Sequence, residues 1–81
     1  MEEYVVLMIV NKKDGFVPLN RASKIVEDIG GVHKYSALLE VKDGNRKYTM
    51  NVMLDEEKKK KLSEWLDVCP DILQYEIKMI Y

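Results

Sequence analysis

Residues 34–54 read KYSALLEVKDGNRKYTMNVML. On either side of Asp43-Gly44 the chain alternates with a period of two, the spacing of a strand whose two faces meet different surroundings. Tyr35, Ala37, Leu39 and Val41 share one side of the first run, and Lys34, Ser36, Leu38 and Glu40 share the other. In the second run Tyr48, Met50, Val52 and Leu54 share a side, with Thr49, Asn51 and Met53 opposite. Asp-Gly between two such runs marks a two-residue hairpin, because the tight turn needs positive φ angles that these residues tolerate. The middle of the chain is therefore a β-hairpin, and its flanks decide what it packs against.

On the N-terminal side Leu19, Ala22, Ile25, Val26 and Ile29 recur at spacings of three and four, which predicts a helix from Leu19 to Ile29. Pro18 suits a helix start, where its missing N–H costs nothing, and Asn20 is an alternative N-cap. Gly30-Gly31 stops the helix. Before it, Tyr4 to Val10 is an unbroken apolar run, as expected of a central strand covered on both faces, and Asn11 to Gly15 ends it with turn residues. On the C-terminal side Asp55 is placed to cap a second helix, Glu56 to Val68. Glu56 and Glu57 suit its positive end, Leu62, Trp65 and Leu66 form its buried stripe, and Pro70 follows it. In the last strand Leu73, Tyr75, Ile77, Met79 and Tyr81 are expected inward, with Gln74, Glu76 and Lys78 outward.

The order is β-α-β-β-α-β, the split βαβ or ferredoxin-like arrangement of the α+β class. It predicts a two-layer sandwich: a four-stranded antiparallel sheet of order 4-1-3-2 with both helices on one face. Tyr35, Leu39, Met50, Val52, Tyr75 and Ile77 are expected under the helices. Leu38, Met53 and one set of strand 1 side chains are expected on the other face. An apolar face of that extent is an association surface, which predicts a homo-oligomer joined through the sheet face or a sheet edge.

At 81 residues the chain is expected to form one domain, 1–81. Its 13 basic and 14 acidic residues leave a net charge of −1, which argues against broad nucleic-acid binding. Cys69 is the one cysteine, so neither an internal disulfide nor a cysteine-based zinc site can form, as suits a reducing cytosol. Met1-Glu2-Glu3 lacks the basic start of a secretory leader, and the apolar run after it falls far short of the ~20 residues that span a bilayer. These features predict a soluble cytoplasmic protein, complete from its first methionine and without membrane contact.

The residues that could carry chemistry are few. Asn11-Lys12-Lys13-Asp14-Gly15-Phe16 joins a central strand to the first helix. Strand C-termini beside helix N-termini are where ligands of open α/β sheets collect. Asn11, Asp14, Gly15 and Phe16 are therefore the candidate ligand-binding residues, although Asp-Gly is also an ordinary turn dipeptide. His33 is a lone imidazole with no thiolate near it in sequence, which suits a polar strand end better than a metal site. Cys69 reads as a buried inert thiol. Arg46-Lys47-Tyr48 opens the strand on which RNA-recognition domains carry stacking aromatics, but their octamer is absent and Thr49, Asn51 and Met53 offer no aromatic platform. No Ser/His/Asp set, glycine-rich phosphate loop or partnered carboxylate pair is visible. The loop after strand 1 lacks the arginine of acylphosphatases and the Cys-x-x-Cys of metal-transport domains. The chain is expected to be no enzyme and to need no cofactor or metal.

Asn11 to Gly31 resembles the start of an ACT domain: Asn at the end of strand 1, a short turn ending in Gly15, an apolar residue, then a helix ending in glycine. Asp14 stands where proline is usual, Asn11 and Gly15 are one residue further apart, and Val17-Pro18 lengthens the approach to the helix. The resemblance implies a βαββαβ regulatory module that dimerises and binds an amino acid or similar small metabolite at this loop, beside a neighbouring subunit. The alternative is a protein- or RNA-binding adaptor, ribosomal S6-like in fold, with no small ligand.

Overall fold

Strand β1 (Glu2–Asn11) is the centre of the sheet, with β3 (Asn45–Leu54) antiparallel on one side and β4 (Ile72–Met79) antiparallel on the other. β2 (Val32–Lys42) pairs with β3 at the edge, so the strand order is β2-β3-β1-β4, the expected order read from the other end. The computed structural model describes residues 1–80; Tyr81, expected inward, lies outside the described residues. Between β1 and β2 stands α1 (Val17–Asp28), and between β3 and β4 stands α2 (Glu56–Val68).

The alternation of β1 becomes a division of labour. Tyr4, Val6, Met8 and Val10 are all but fully buried, while Val5, Leu7 and Ile9 between them are half-buried. In an antiparallel pair, directly opposed residues share a face. Tyr4 opposes Val52, Val6 opposes Met50 and Met8 opposes Tyr48, so these six lie under the helices. Leu19, Ala22 and Val26 of α1 and Leu62 and Leu66 of α2 complete the core. Burying each of the valine, leucine and methionine side chains contributes roughly 1.5–3 kcal/mol, and the Ala22 methyl well under that. Trp65, expected as a buried anchor, packs against this core only half-buried.

The helices begin and end for identifiable reasons. Asp55 caps α2: its carboxylate accepts from the Lys58 N–H at 2.8 Å and from the Lys58 ammonium at 2.9 Å. Asn20 is not the cap of α1. The helix starts earlier, with Phe16 at the N-cap position and Pro18 in the first turn, and Asn20 donates its N–H to the Phe16 carbonyl as an ordinary helical residue. Gly31 is needed for space, because a Cβ there would lie 2.6 Å from a methyl of Leu54 and 3.1 Å from two backbone oxygens. Asp43 and Gly44 take φ of 52° and 80°, the turn that their sequence predicts.

The predicted sides of Tyr35, Leu38, Leu39 and Leu73 are overturned. β2 carries register shifts between His33 and Tyr35 and between Leu38 and Glu40. Each inserted residue changes which parity faces the helices. Leu38 consequently opposes Tyr48 on the helix-covered side, whereas Tyr35 opposes Asn51 on the uncovered side, the reverse of expectation. Leu39 falls in the second bulge and is 54% exposed. In β4 a third shift, opposite Ile9 and Val10, buries Ile72 and leaves Leu73 at 56% exposure instead of inward.

The uncovered face can be read as rows across the sheet. One is Tyr35, Asn51, Val5 and Lys78; the next is Ala37, Thr49, Leu7 and Glu76; the third is Glu40, Lys47, Ile9 and Gln74. Met53 lies on the same face opposite Glu3 and Val32, as predicted. Asn51 is the one buried polar residue among those described; its amide reaches Glu3, which also accepts from the Lys34 ammonium at 2.9 Å.

Candidate functional site

The Asn11–Phe16 loop closes the end of the sheet where β1 finishes and the β2–β3 hairpin turns. Asn11 opposes Asn45, and the Lys12 N–H bonds the Gly44 carbonyl at 2.8 Å, so loop and hairpin are fastened together. Asn11 Oδ1 accepts from the Lys13 N–H at 3.0 Å and caps the single 3-10 turn Lys12–Asp14. That use leaves the Asn11 side chain in a local structural role. Gly15 follows at φ 59° and ψ −131°, a left-handed conformation that a side chain would strain. The space where its Cβ would stand is open, with no atom within 4 Å.

Three side chains converge above the loop. The Tyr48 ring is buried in the core, and its hydroxyl donates to the Gly15 carbonyl at 2.6 Å. Phe16, 51% exposed, lies with its ring centroid 5.5 Å from that of Tyr48. Over Phe16 sits the Arg46 guanidinium, 5.1 Å from the ring centroid, within cation–π range. Arg46 also donates to the Tyr48 hydroxyl at 3.1 Å. Its Nε is buried and has no partner among the described residues. The guanidinium is thus held by the Phe16 ring and the Tyr48 hydroxyl, and its Nη2 makes no hydrogen bond among the described residues, an arrangement suited to an anion.

The helix that starts at Phe16 adds to this polarity. No side chain caps α1, and no acidic residue stands in its first turn, although the positive end of a helix favours one. Pro18 has no N–H, so Val17 and Leu19 supply the first-turn N–H groups that give this helix end its affinity for negative charge. The structure thus brings Gly15 and Phe16 into one cluster. Asn11 is engaged within its own turn, and Asp14 makes no side-chain hydrogen bond or ion pair among the described residues. Arg46 and Tyr48 are the members that the sequence did not assign to this site. Their signal was the Arg-x-Tyr spacing, which puts both side chains on one face of β3, but their contact with Phe16 spans some thirty residues of chain.

Elsewhere the chemistry is sparse. His33 shares a 2.7 Å hydrogen bond with Ser36. Cys69 is buried, with Arg21 3.7 Å from its sulfur; Arg21 also pairs with Asp71. No three metal-ligating side chains come together among the described residues. No helix among them is long and apolar enough to cross a membrane.

No protein-family model matches the chain, and no curated protein sequence does. Solved structures do. The C-terminal domain of the MgtC protein from Mycobacterium tuberculosis superposes with a TM-score of 0.81 at 13% identity, covering 99% of this chain and 88% of that one. 30S ribosomal protein S6 from Thermotoga maritima gives 0.77 at 16% identity, with coverage of 98% and 87%. The ACT domain from GTP pyrophosphokinase of Chlorobium tepidum gives 0.69 at 14% identity, with coverage of 94% and 96%. At such identities the likeness is one of fold, and function has to be argued from the site. The chain has the ferredoxin-like βαββαβ fold, and it is ACT-like in that sense.

Proposed function

We propose that the chain acts as one small non-catalytic regulatory or interaction domain, that it is a homodimer, and that it binds an amino acid or similar small anionic metabolite at the β1–α1 loop. The observation that carries the ligand is the meeting of an uncapped helix N-terminus with an arginine held on Phe16 and Tyr48. A ligand carboxylate would take the place of the missing cap, and the open side of Gly15 admits it. The exposed Phe16 ring would pack against the ligand's apolar part.

The test is a calorimetric titration of wild-type protein against the twenty amino acids, with melting shifts across a wider metabolite panel. A carboxylate-bearing ligand should bind wild type and lose at least about tenfold in affinity to Arg46→Ala, the loss of one charge-assisted hydrogen bond. Should no metabolite bind or shift the melt at millimolar concentration, the small-ligand reading is discarded.

A second reading, an adaptor for protein or RNA without a small ligand, has its own observation. Lys12, Lys13, Lys42, Arg46 and Lys47 stand at this one end of the sheet, against Asp14, Glu40 and Asp43. None of the eight makes an ion pair among the described residues. Unpaired cations beside an exposed aromatic ring suit a polyanion or an acidic peptide. Salt-dependent binding of a single-stranded RNA, in the absence of any metabolite effect, would favour this reading.

A further inference from the structure

We propose that the middle of the edge strand β2 has two registers: Tyr35–Leu38 slides by one residue along β3, so that the bulge at Leu39 moves to join the bulge at Lys34 while both ends of the strand keep their partners. Neither the ligand nor the homodimer is needed for this motion.

Nothing buried fixes the register of this strand. Every residue of β2 is exposed or half-buried, whereas Tyr48, Met50, Val52 and Leu54 of its neighbour β3 are fully buried. A strand's register is firmly specified where one of its faces is buried and loosely specified where neither is. In the observed register Ser36 opposes Met50, Ala37 opposes Thr49 and Leu38 opposes Tyr48, with Lys34 and Leu39 as the inserted residues. After the slide Leu39 opposes Tyr48, Leu38 opposes Thr49, Ala37 opposes Met50 and Ser36 opposes Asn51. The ladder then runs without interruption from Lys42, opposite Asn45, to Ser36. Lys34 and Tyr35 form one wider bulge before His33, which stays opposite Val52.

The side chains nearly balance. On the helix-covered side Leu39 takes the place of Leu38 beside Tyr48, one leucine for another, and in the observed register the two are 54% and 42% exposed. Ala37 replaces Ser36 beside Met50, and Ser36 moves to the uncovered side beside the Asn51 amide. The slide restores the period of two in Ala37, Leu39 and Val41 that the bulge at Leu39 breaks. Against it stands the 2.7 Å hydrogen bond between His33 and Ser36, which spans the first bulge. The Tyr35–Asn51 pair is given up and the Leu39–Tyr48 pair is gained, so the ladder keeps its length. A slide the other way is not equivalent: it would put Ala37 in place of Leu38 beside Tyr48 and leave both leucines in the bulge. β3 does not move, so Arg46 and Tyr48 keep their places. What changes is the outer edge, irregular at Leu39 in one register and evenly spaced from Ser36 to Lys42 in the other.

Rates of disulfide closure in a glutathione buffer test the slide. Three double variants share Thr49→Cys, on the uncovered side of β3. Ala37→Cys faces it in the observed register, Leu38→Cys only after the slide, and Ser36→Cys only after a slide the other way. Directly opposed residues of an antiparallel pair stand about 4.5–5.5 Å apart, within disulfide reach, whereas a neighbour one residue along points to the opposite face. Thr49→Cys alone is the control for buried Cys69, and circular dichroism confirms that each reduced variant is folded. The Ala37→Cys pair should close fastest, and the Leu38→Cys pair at least about tenfold faster than the Ser36→Cys pair, although Ser36→Cys itself removes the His33 bond. Adding His33→Ala, which removes the bond that opposes the slide, should speed closure of the Leu38→Cys pair about fivefold, the worth of one hydrogen bond, and leave the Ala37→Cys pair nearly unchanged. A Leu38→Cys pair that closes no faster than the Ser36→Cys pair, or that His33→Ala does not speed, would assign closure to general fraying of the edge and overturn the second register.

Discussion

The Tyr48 hydroxyl donates a 2.6 Å hydrogen bond to the Gly15 carbonyl, so a core side chain of β3 holds the loop that leads into α1. The same oxygen accepts from Arg46. Loop position and arginine position are therefore set by one atom, and that atom belongs to the rigid part of the molecule.

Tyr48→Phe should keep the ring in the core and remove that atom. We expect a loss of about 1 kcal/mol in urea unfolding, the net worth of a hydrogen bond, with faster amide exchange through Gly15 and Phe16. If exchange at the loop is unchanged, Tyr48 is packing alone and does not hold the loop.

Gly15 and Gly31 should respond to alanine for different reasons. At Gly15 there is room and only the left-handed backbone objects, so Gly15→Ala should cost roughly 1–2 kcal/mol with little structural change. At Gly31 the backbone is permissive and the space is missing, so Gly31→Ala should cost about 1–3 kcal/mol and shift Leu54. Paired with Leu54→Ala, the Gly31 substitution should become less costly, while the Gly15 substitution should not. Equal responses of both glycines to Leu54→Ala would contradict this division.

α2 offers a comparison of burial with size. Leu62 has no exposed surface, and Leu62→Ala should cost about 2–5 kcal/mol in chemical denaturation. Trp65 is larger but only half-buried, and Trp65→Ala should fall below the ~3–5 kcal/mol typical of a fully buried ring. A Trp65 cost at the top of that range would mean that its exposed edge is covered in solution.

Stability should fall in acid through two named carboxylates. Hydrogen bonds from the Lys58 side chain, then from its backbone N–H, hold the Asp55 carboxyl below its usual range; the Lys34 side chain, then Asn51, do the same for Glu3. A lowered folded-state pKa means that the contribution is complete above the unfolded value, about 3.9 for aspartate and 4.3 for glutamate, and is lost as pH falls through the folded value. The melting temperature should therefore drop as pH is lowered below about 4. Asp55→Asn, which keeps a capping side chain, should flatten that drop, and Glu3→Gln should flatten it further. A pH profile unmoved by both substitutions would assign the acid sensitivity to other groups.

The helices and the hairpin were legible because each rests on a local period or a turn dipeptide that nothing distant overrides, and the strand order followed from the topology those elements spell. The faces of β2 were not. Counting parity from Tyr35 assumes an unbroken ladder, and the insertions near Lys34 and Leu39 are placed by pairing with β3, which no residue of β2 announces. Leu73 failed for the same reason. The loop was found because turn residues follow an apolar run, yet its working members include Arg46 and Tyr48, which only the register of the sheet brings to Phe16. The Asn20 cap was a competing local signal, and Pro18 outweighed it by fixing a first turn whose N-cap, Phe16, lies four residues earlier.

The two bulges of β2 have a consequence for the fate of the free chain. β2 is an eleven-residue edge strand with Tyr35, Leu38, Leu39 and Val41 all substantially exposed, a composition that invites open-ended strand addition into filaments. Each bulge interrupts the even spacing of N–H and C=O groups that an incoming strand would have to match. Deleting Leu39 would remove an apolar side chain and still be expected to make the protein more aggregation-prone, because the edge would then run regular for longer. Resistance to filament growth is thus written into the spacing of the backbone as much as into the charge of the surface.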